Sequence, residues 1–441
     1  MKSKSKTWSM ALAAVVAAGI ANGCDTEKLL RVPDPDVVAG PVFNDPTNLA
    51  AVRLGAVSEF AHALGGEQNR DGGVILYGGL FADEFYNSDN FNTRQQVDQR
   101  NVQADNDGVY TVYFWLQRAR NHAEVAAELF AASEDESGSS GHAELLTLAG
   151  FAYILAGEHF CSGVPFSKLP QSGPTEYGAG LTTEQIFQRA IERFDAAIAL
   201  NSGAPNIETL ARLGKARALL NMNQPAQAAA LTAPIPTSFN HFVHYSEAVF
   251  EAGNAVWQLN NAEKRWSISG TEGTNGLNFH NGDPRTPTAR TGGGFVSSIP
   301  HFSQFKYDDS GSEIPLANGI EARLIDAEAA LRANNRSQFF GFHNALRSTV
   351  GLSALNDTGQ AQAALVDLHF AERARWLWLT GHRVGDLRRL IRQYGRSQAT
   401  VFPIGPTARG EDRGTDMSLP VPSNEENNPN YNPSMCVKTN A

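Results

Sequence analysis

The chain has 441 residues, of which 42% are apolar and 19% charged, with 40 Gly and 21 Pro. This composition is typical of a globular protein and excludes a disordered acidic tail or a collagen-like fibre. The formal net charge of −10 argues against nucleic acid as a partner, because phosphate binding needs a positive surface. With 3 Cys, a small disulfide-rich scaffold and a zinc site built mainly from thiolates are also excluded.

The N-terminus has the pattern of an export signal. Three lysines among the first six residues precede a small apolar stretch from Met10 to Ile20, which is shorter than the roughly 20 residues that span a bilayer. Ala21–Cys24 follows and resembles a lipobox, in which the cysteine is lipidated and becomes the new N-terminus. We expect residues 1–23 to be a signal peptide and Cys24 to carry lipid. The alternative is an ordinary signal peptide in which Cys24 has no role.

Export changes the interpretation of the two other cysteines. Cys161 and Cys436 are the only thiols left if Cys24 carries lipid. An oxidising compartment favours a disulfide between them. Two buried free thiols are the alternative.

Beyond the N-terminal export signal the sequence predicts mainly helices. Apolar residues recur every three or four positions from Val109 to Ala132, which is helical periodicity. Further helices are predicted over His142–His159, Thr183–Leu200, Ile207–Asn221 and 224–231. Alanines recur at equivalent positions, and small residues let antiparallel helices approach closely, as in tetratricopeptide repeats of about 34 residues. The predicted fold class is therefore mainly α, with a tetratricopeptide-like helical-repeat scaffold, long irregular loops and little strand.

The scaffold is predicted as one domain over residues 24–441, interrupted by an insertion. Helical repeats should occupy about 109–232 and 316–396, whereas 233–315 is rich in Gly, Pro, Asn, Ser and aromatic residues. A long irregular segment inside a helical array is expected to be functional, although it could be a crossover loop with structural aromatics. The last two predicted helices occupy 361–380 and 385–395. Gly381 is the predicted left-handed C-cap of the first.

A family resemblance lies in this last helix pair. Residues 372–389 contain Glu-Arg, an apolar helix, Gly-His-Arg and Asp-Leu-Arg-Arg in that order, which resembles the late signature of the SusD/RagB family of outer-membrane lipoproteins. Shorter blocks that resemble the family are Asn281–Arg285, Glu321–Leu331, Asn344–Arg347 and Phe402–Ile404.

The resemblance implies a function as well as a fold. It implies a lipid-anchored outer-membrane protein, facing the cell exterior, that captures an oligomeric nutrient, usually a glycan or other oligosaccharide. The partner that it implies is a SusC-type TonB-dependent transporter, to which the nutrient is delivered. A peptide- or protein-binding assembly adaptor that uses the concave face of the repeats is an alternative.

The charged residues of the 372–389 block are expected to be structural. We interpret four of them as an ion-pair cluster that braces two helices, namely Glu372, Arg373, Arg383 and Asp386. The arginines from Arg388 to Arg396 are expected on a solvated helical face.

Catalytic motifs are missing from the sequence. There is no nucleophile elbow, phosphate loop, dinucleotide-binding turn or His-Glu-x-x-His zinc helix, so we expect no enzyme activity, cofactor or metal. His241 and His244 are interpreted as a loop or packing pair. The carboxylates at 83–84 and 134–136 leave a secreted hydrolase as a second alternative, because glycoside hydrolysis needs two carboxylates beside the scissile bond.

Two segments rich in polar and aromatic residues form the predicted ligand surface. Sugars present C–H faces that stack on aromatic rings and hydroxyls that need amide or carboxylate partners. We expect 77–92 and 257–280 to converge on one face, with Trp266 exposed and Trp257 either exposed or packed inward. The candidate ligand-binding residues are Asp83, Tyr86, Asn87, Phe91, Asn92, Trp257, Trp266 and Phe279.

The variant Cys24→Ala tests the lipid anchor. The wild-type protein should fractionate with the outer membrane and incorporate labelled fatty acid, whereas the variant should carry no label, because acylation depends on the thiol. Equal labelling of the two proteins would contradict the prediction.

Overall fold

Helices make up most of the chain that the computed structural model describes, which comprises residues 48–67, 72–82, 84–170, 174–271 and 273–441. Residues 49–441 form one compact unit. The predicted lipidation site Cys24 and the candidate ligand residue Asp83 lie outside the described residues.

The helices follow one another along the whole of this unit. Their bounds are α1 Leu49–Gly65, α2 Val74–Phe81, α3 Asn92–Asp98, α4 Asp107–Ala132, α5 Ser140–His159, α6 Thr183–Ala199, α7 Pro205–Asn221, α8 Pro225–Thr232, α9 Ala255–Trp257, α10 Gly319–Arg332, α11 Arg336–Ser348, α12 Gln362–Trp376, α13 Arg383–Tyr394 and α14 Gln398–Val401. A π-helix, Gln258–Ala262, directly continues α9. Short 3-10 turns occupy Phe250–Ala252, Ser423–Asn427 and Pro433–Met435.

The described strands form four antiparallel pairs. These are β1 Phe85–Asn87 with β5 Trp266–Ile268, β2 Val164–Pro165 with β3 Gly180–Leu181, β4 Asn240–Val243 with β8 Ile314–Asn318, and β6 Thr288–Gly293 with β7 Pro300–Gln304. The expectation of a mainly α fold with little strand is thereby confirmed.

Consecutive helices pack against each other from α4 to α7, as the alanine pattern led us to expect. The Phe194 ring of α6 fits between two helices at positions without side chains. A Cβ atom added at Gly150 of α5 would lie 2.7 Å from this ring, and one at Gly214 of α7 would lie 2.4 Å from it. Such close packing explains why small residues recur in the repeats.

The insertion leaves the helical array and returns to it. Helix α8 packs directly against α10, although residues 233–318 separate them in the sequence. All of β4 to β8 lie in this intervening segment. The segment is therefore an irregular addition to an array whose helices remain neighbours without it.

The last helix pair differs from the prediction at its turn. Helix α12 ends at Trp376, whereas the sequence predicted a helix up to residue 380 with Gly381 as its cap. Leu379 already has a positive φ of 54°. Its N–H donates to Glu84 at 3.2 Å, and its carbonyl accepts from the Tyr307 hydroxyl at 2.8 Å. Distant partners therefore take the backbone groups that would have continued the helix.

The expected solvation of the α13 arginines is wrong for Arg388 and Arg389, which are 1% and 2% exposed. One guanidinium nitrogen of Arg388 donates to the carbonyls of Gly157, Glu158 and Phe160 at 2.8–3.0 Å. The last carbonyls of a helix lack partners within the helix and attract positive charge. Arg388 supplies hydrogen-bond donors and a positive charge to the end of α5, which explains why this side chain is buried.

A buried ionic network joins α10, α12 and α13. Asp386 accepts from Arg373 at 2.8 Å and from Arg389 at 3.0 Å. Arg389 also pairs with Glu328. Burial would raise the pKa of Glu328, but the charges of Arg389 and Arg373 and the hydrogen bond and charge of His369 together outweigh burial and hold this pKa well below the usual value.

The other two members of the predicted cluster, Glu372 and Arg383, lie at the edges of this network. Glu372 pairs with Arg285 and Arg347, each at 2.7 Å, and therefore joins α12 to the insertion and to α11. Arg383 is buried at the start of α13.

A disulfide joins Cys161 to Cys436, with their Cα atoms 5.1 Å apart. At this disulfide the C-terminal segment also pairs with the end of α5. Leu419 donates to the carbonyl of His159 at 2.8 Å and accepts from the N–H of Cys161 at 2.9 Å.

Within the described residues, no helix combines the length and apolar character that crossing a bilayer requires.

The variant Arg373→Met tests the structural role of the buried network. It leaves Asp386 with one cation fewer in a buried site, so the free energy of unfolding should fall by about 3–5 kcal/mol. The partly exposed pair of Arg396 with Asp367 provides a control, because Arg396→Met should cost less than about 1 kcal/mol. Urea denaturation measures both values, and equal losses would contradict the assignment.

Candidate functional site

Strand pairing brings together the two segments that the sequence predicted to converge. In the β1–β5 ladder, Phe85 lies opposite Ile268, Tyr86 opposite Ser267, and Asn87 opposite Trp266. The 77–92 and 257–280 segments are therefore direct neighbours. The individual side chains nevertheless divide into a buried set and an accessible set.

The expected exposure of Trp266 is wrong, because this side chain is fully buried. Its ring meets Tyr77 and Phe85 edge to face, with centroids 5.3 and 6.0 Å away. The polar neighbour Ser267 is buried as well, and its hydroxyl accepts from the N–H of Phe302 at 2.8 Å. Both faces of β5 are thus covered, and the alternation of polar and apolar residues around Trp266 gave no sign of this.

Three further candidate ligand residues make contacts within the protein. Phe279 is buried and stacks on Trp378. Trp257 is partly buried and packs against the core, as one of its two predicted positions required. Asn87 is buried, and its side-chain oxygen accepts from the N–H of Asp89 at 3.1 Å, which fixes the following turn.

Asp98 holds the same turn from the other side. Its carboxylate accepts from the N–H of Asn87 at 2.8 Å. Burial raises the pKa of Asp98 to about 6, although the charge of Arg413 opposes this shift. The turn that carries the accessible residues is therefore held by buried polar groups.

Two exposed rings contact one guanidinium beside the β1–β5 pair. Phe91 is 50% exposed and Phe295 is 49% exposed. The guanidinium of Arg265 lies 5.5 Å from the Phe91 ring centroid and 4.0 Å from that of Phe295. We call Phe91, Arg265 and Phe295 the aromatic platform. Asn92, another predicted ligand residue, is exposed next to Phe91.

The platform is held by backbone contacts from the β6–β7 hairpin. Phe295 donates its N–H to the carbonyl of Lys264, and Val296 donates to that of Ser88, both at 2.8 Å. Gly294 lies so close to Ser88 that an added Cβ would be 2.6 Å from its side chain. The hairpin tip is thereby attached to the residue that follows β1 and to the residues before β5.

Sequence reasoning missed Phe295. Its signal was available, since a large aromatic residue follows Gly292, Gly293 and Gly294 in a segment of small and polar residues. An aromatic ring at a glycine-rich hairpin tip has few neighbours that could bury it.

A polar pocket of about 370 Å³ lies beside the other residue of β1 with a predicted ligand role, Tyr86. Its lining includes Ser269, Thr271, Asn278, His280 and Arg413. The Tyr86 hydroxyl donates to the carbonyl of Pro300, in the hairpin that carries Phe295. This bond connects the pocket to the hairpin whose tip carries Phe295.

His280 combines an aromatic contact with a polar one in this pocket. Its ring stacks on Phe302 with centroids 4.0 Å apart, and Nε2 lies 3.1 Å from the carbonyl of Ile268. Burial lowers the pKa of His280. A neutral imidazole that donates through Nε2 retains Nδ1 as an acceptor.

A larger cavity of about 650 Å³ lies among α4, α5, α6 and the 164–181 segment. Its charged groups neutralise one another, as in the pairs of Glu124 with Arg120 at 3.1 Å and of Lys168 with Glu128 at 2.7 Å. The described lining contains no ring as exposed as those of the platform. For these reasons the aromatic platform and the polar pocket form the stronger candidate site.

Among the described residues, no group of three or more His, Cys, Asp or Glu side chains could hold a metal ion. His244 instead pairs with Glu313 at 2.6 Å. Its neighbour His241 lies on β4.

Comparison with solved structures identifies the fold. A surface glycan-binding protein A from Bacteroides thetaiotaomicron superposes with a TM-score of 0.65 at 13% identity, covering 87% of this chain and 97% of that one. A SusD-like carbohydrate-binding protein from Bacteroides fragilis gives 0.63 at 15% identity, covering 89% and 100%. A SusD superfamily protein from B. thetaiotaomicron gives 0.59 at 18% identity, covering 81% and 92%.

The chain therefore has the SusD-like fold, as the resemblance in residues 372–389 implied. No family model matches its sequence, and no curated protein is significantly similar to it. At these low identities the likeness concerns the fold, so the function has to be argued from the site.

The variant Trp266→Ala distinguishes a core residue from a ligand contact. Removal of this buried ring should lower the free energy of unfolding by about 3–5 kcal/mol, measured by chemical denaturation. An unchanged stability would contradict the placement of Trp266 in the core.

Proposed function

We propose that this chain is a SusD/RagB-type carbohydrate-binding protein that captures an oligosaccharide on the aromatic platform and the adjacent polar pocket. The observation that carries the proposal is the pair of exposed rings, Phe91 and Phe295, whose centroids lie 5.5 and 4.0 Å from the Arg265 guanidinium. The descriptions of two similar structures as carbohydrate- or glycan-binding proteins support it.

The platform and the pocket match the two chemical sides of a sugar. Aromatic faces accept the C–H surface of a pyranose ring, and a fixed ring loses little conformational entropy on binding. Ser269, Thr271 and Asn278 offer hydroxyl and amide groups to sugar hydroxyls. Because Tyr86 connects the two features, an extended oligomer could contact both.

The proposed role is binding without catalysis. Hydrolysis of a glycosidic bond needs two accessible carboxylates on opposite sides of that bond. Glu84, one of the carboxylates considered from the sequence, is buried and accepts a hydrogen bond from the backbone of Leu379. This arrangement supports a structural role for Glu84.

The proposal includes a location and a partner. Lipid on Cys24 would anchor the protein in the outer membrane with the site facing the exterior, and a SusC-type TonB-dependent transporter would receive the captured oligosaccharide. The export pattern of residues 1–24 and the SusD-like fold support this part of the proposal.

Alanine substitution of the platform rings tests the function. Stacking contributes about 1 kcal/mol per ring beyond area burial, so Phe91→Ala and Phe295→Ala should each weaken binding about fivefold or more. A glycan array identifies the ligand, and calorimetric titration of the purified mature protein then measures affinity.

The exposed Phe250 provides a matched control, because it is 48% exposed and belongs to a 3-10 turn outside the site. Phe250→Ala should leave affinity unchanged. Equal affinities for the wild type and both platform variants would refute the proposed site, and an array without any bound glycan would refute the proposed function.

A further inference from the structure

We propose that the captured glycan is anionic, and that Lys264 and Arg290 bind its carboxylate or sulfate groups beside the aromatic platform. This inference rests on the proposed function and specifies the chemical class of the ligand. It follows from the distribution of charge around the exposed rings.

The charges inside the platform are already compensated. Arg265 lies 2.5 Å from Glu263 and 3.8 Å from Asp89. Arg94, whose guanidinium is 4.8 Å from the Phe91 ring centroid, pairs with Asp89. Two arginines therefore face two carboxylates, and these four groups add no net charge.

Two further cations stand beside this compensated set. Lys264 precedes Arg265, and its carbonyl accepts the N–H of Phe295. Its ammonium lies 3.4 Å from the carbonyl of Thr291, the residue that follows Arg290 on β6. The described residues provide no ion-pair partner for either Lys264 or Arg290.

Both cations are accessible to a ligand that lies on the rings. Arg290 is exposed, and Lys264 is partly exposed. A backbone hydrogen bond joins Lys264 to Phe295, and the Lys264 ammonium reaches the carbonyl of Thr291, the residue next to Arg290. Arg290 is on the strand that leads to the hairpin tip that carries Phe295. A sugar stacked there would bring its substituents within reach of these side chains.

The local excess of positive charge opposes the charge of the whole chain. With a net charge of −10, the protein as a whole repels anionic polymers. Attraction must therefore come from nearby groups, since fields are screened over about 8 Å at physiological ionic strength. Two uncompensated cations next to stacking rings are suited to a polymer that has both sugar faces and negative charges.

Carboxylates of uronic acids and sulfate esters share this chemistry, and paired polymers distinguish them. One pair is polygalacturonate with its methyl ester, and the other is a carrageenan with its desulfated galactan. The charged member of at least one pair should bind about tenfold more tightly than its neutral counterpart, and the preference should shrink as salt is raised to about 0.5 M.

The variants Lys264→Gln and Arg290→Gln test the assignment to these residues. Each should weaken binding of the charged polymer about threefold, and the double variant about tenfold, while binding of the neutral polymer stays unchanged. Arg189→Gln on α6 is the matched control, because Arg189 is an exposed cation of the repeats, 3.6 Å from Glu192. It should alter neither affinity.

The possible failures are distinguishable. If a neutral glycan binds as tightly as its charged counterpart, or if the double variant retains the wild-type preference, the inference is overturned and the proposed function stands. If no neutral or charged glycan on a broad array binds the protein, the proposed function fails as well.

Discussion

The pairing of β1 with β5 over the buried Trp266 ring is the constraint on which the candidate site depends. Burying an aromatic side chain of this size removes roughly 150–250 Å² from water, which corresponds to about 4–6 kcal/mol at ~25 cal/mol per Å². That stabilisation fixes a segment of the insertion to the chain between α2 and α3. Phe91 follows β1 and Arg265 precedes β5, so the pairing of these strands brings the two residues next to each other.

The scaffold is stabilised separately, by buried charges that include two arginines, Arg388 and Arg389, for which the sequence predicted a solvated face. Periodicity correctly predicted the helices α4 to α8, because an apolar stripe at helical spacing reports which face is buried. It could not predict the burial of Arg388 and Arg389, since their partners are the carbonyls that end α5 and the carboxylates of Glu328 and Asp386. Charge in a sequence indicates solvent only when no compensating group comes from elsewhere in the chain.

The site was predictable at the level of segments and much less so at the level of side chains. Composition correctly indicated that 77–92 and 257–280 would be neighbours, because both combine rings and amides outside the repeats. Which ring is exposed depends on what covers each face of a strand. Ser267 and Trp266 are adjacent in the sequence. Strand β7 covers Ser267, whereas α2 and β1 cover Trp266. Phe295 is exposed because a hairpin tip has no such layer.

These two forms of stabilisation separate the residues of the proposed ligand surface from those that hold the array. Helices α8 and α10 contact each other directly, so the array does not need the platform or the β6–β7 tip for its own packing. Substitution at Phe91, Lys264, Arg290 or Phe295 changes exposed or partly exposed groups, whereas substitution at Trp266 or Arg373 removes buried contacts. The residues of the proposed ligand surface can therefore be substituted with little loss of stability, while the residues beneath them are constrained by packing and charge compensation.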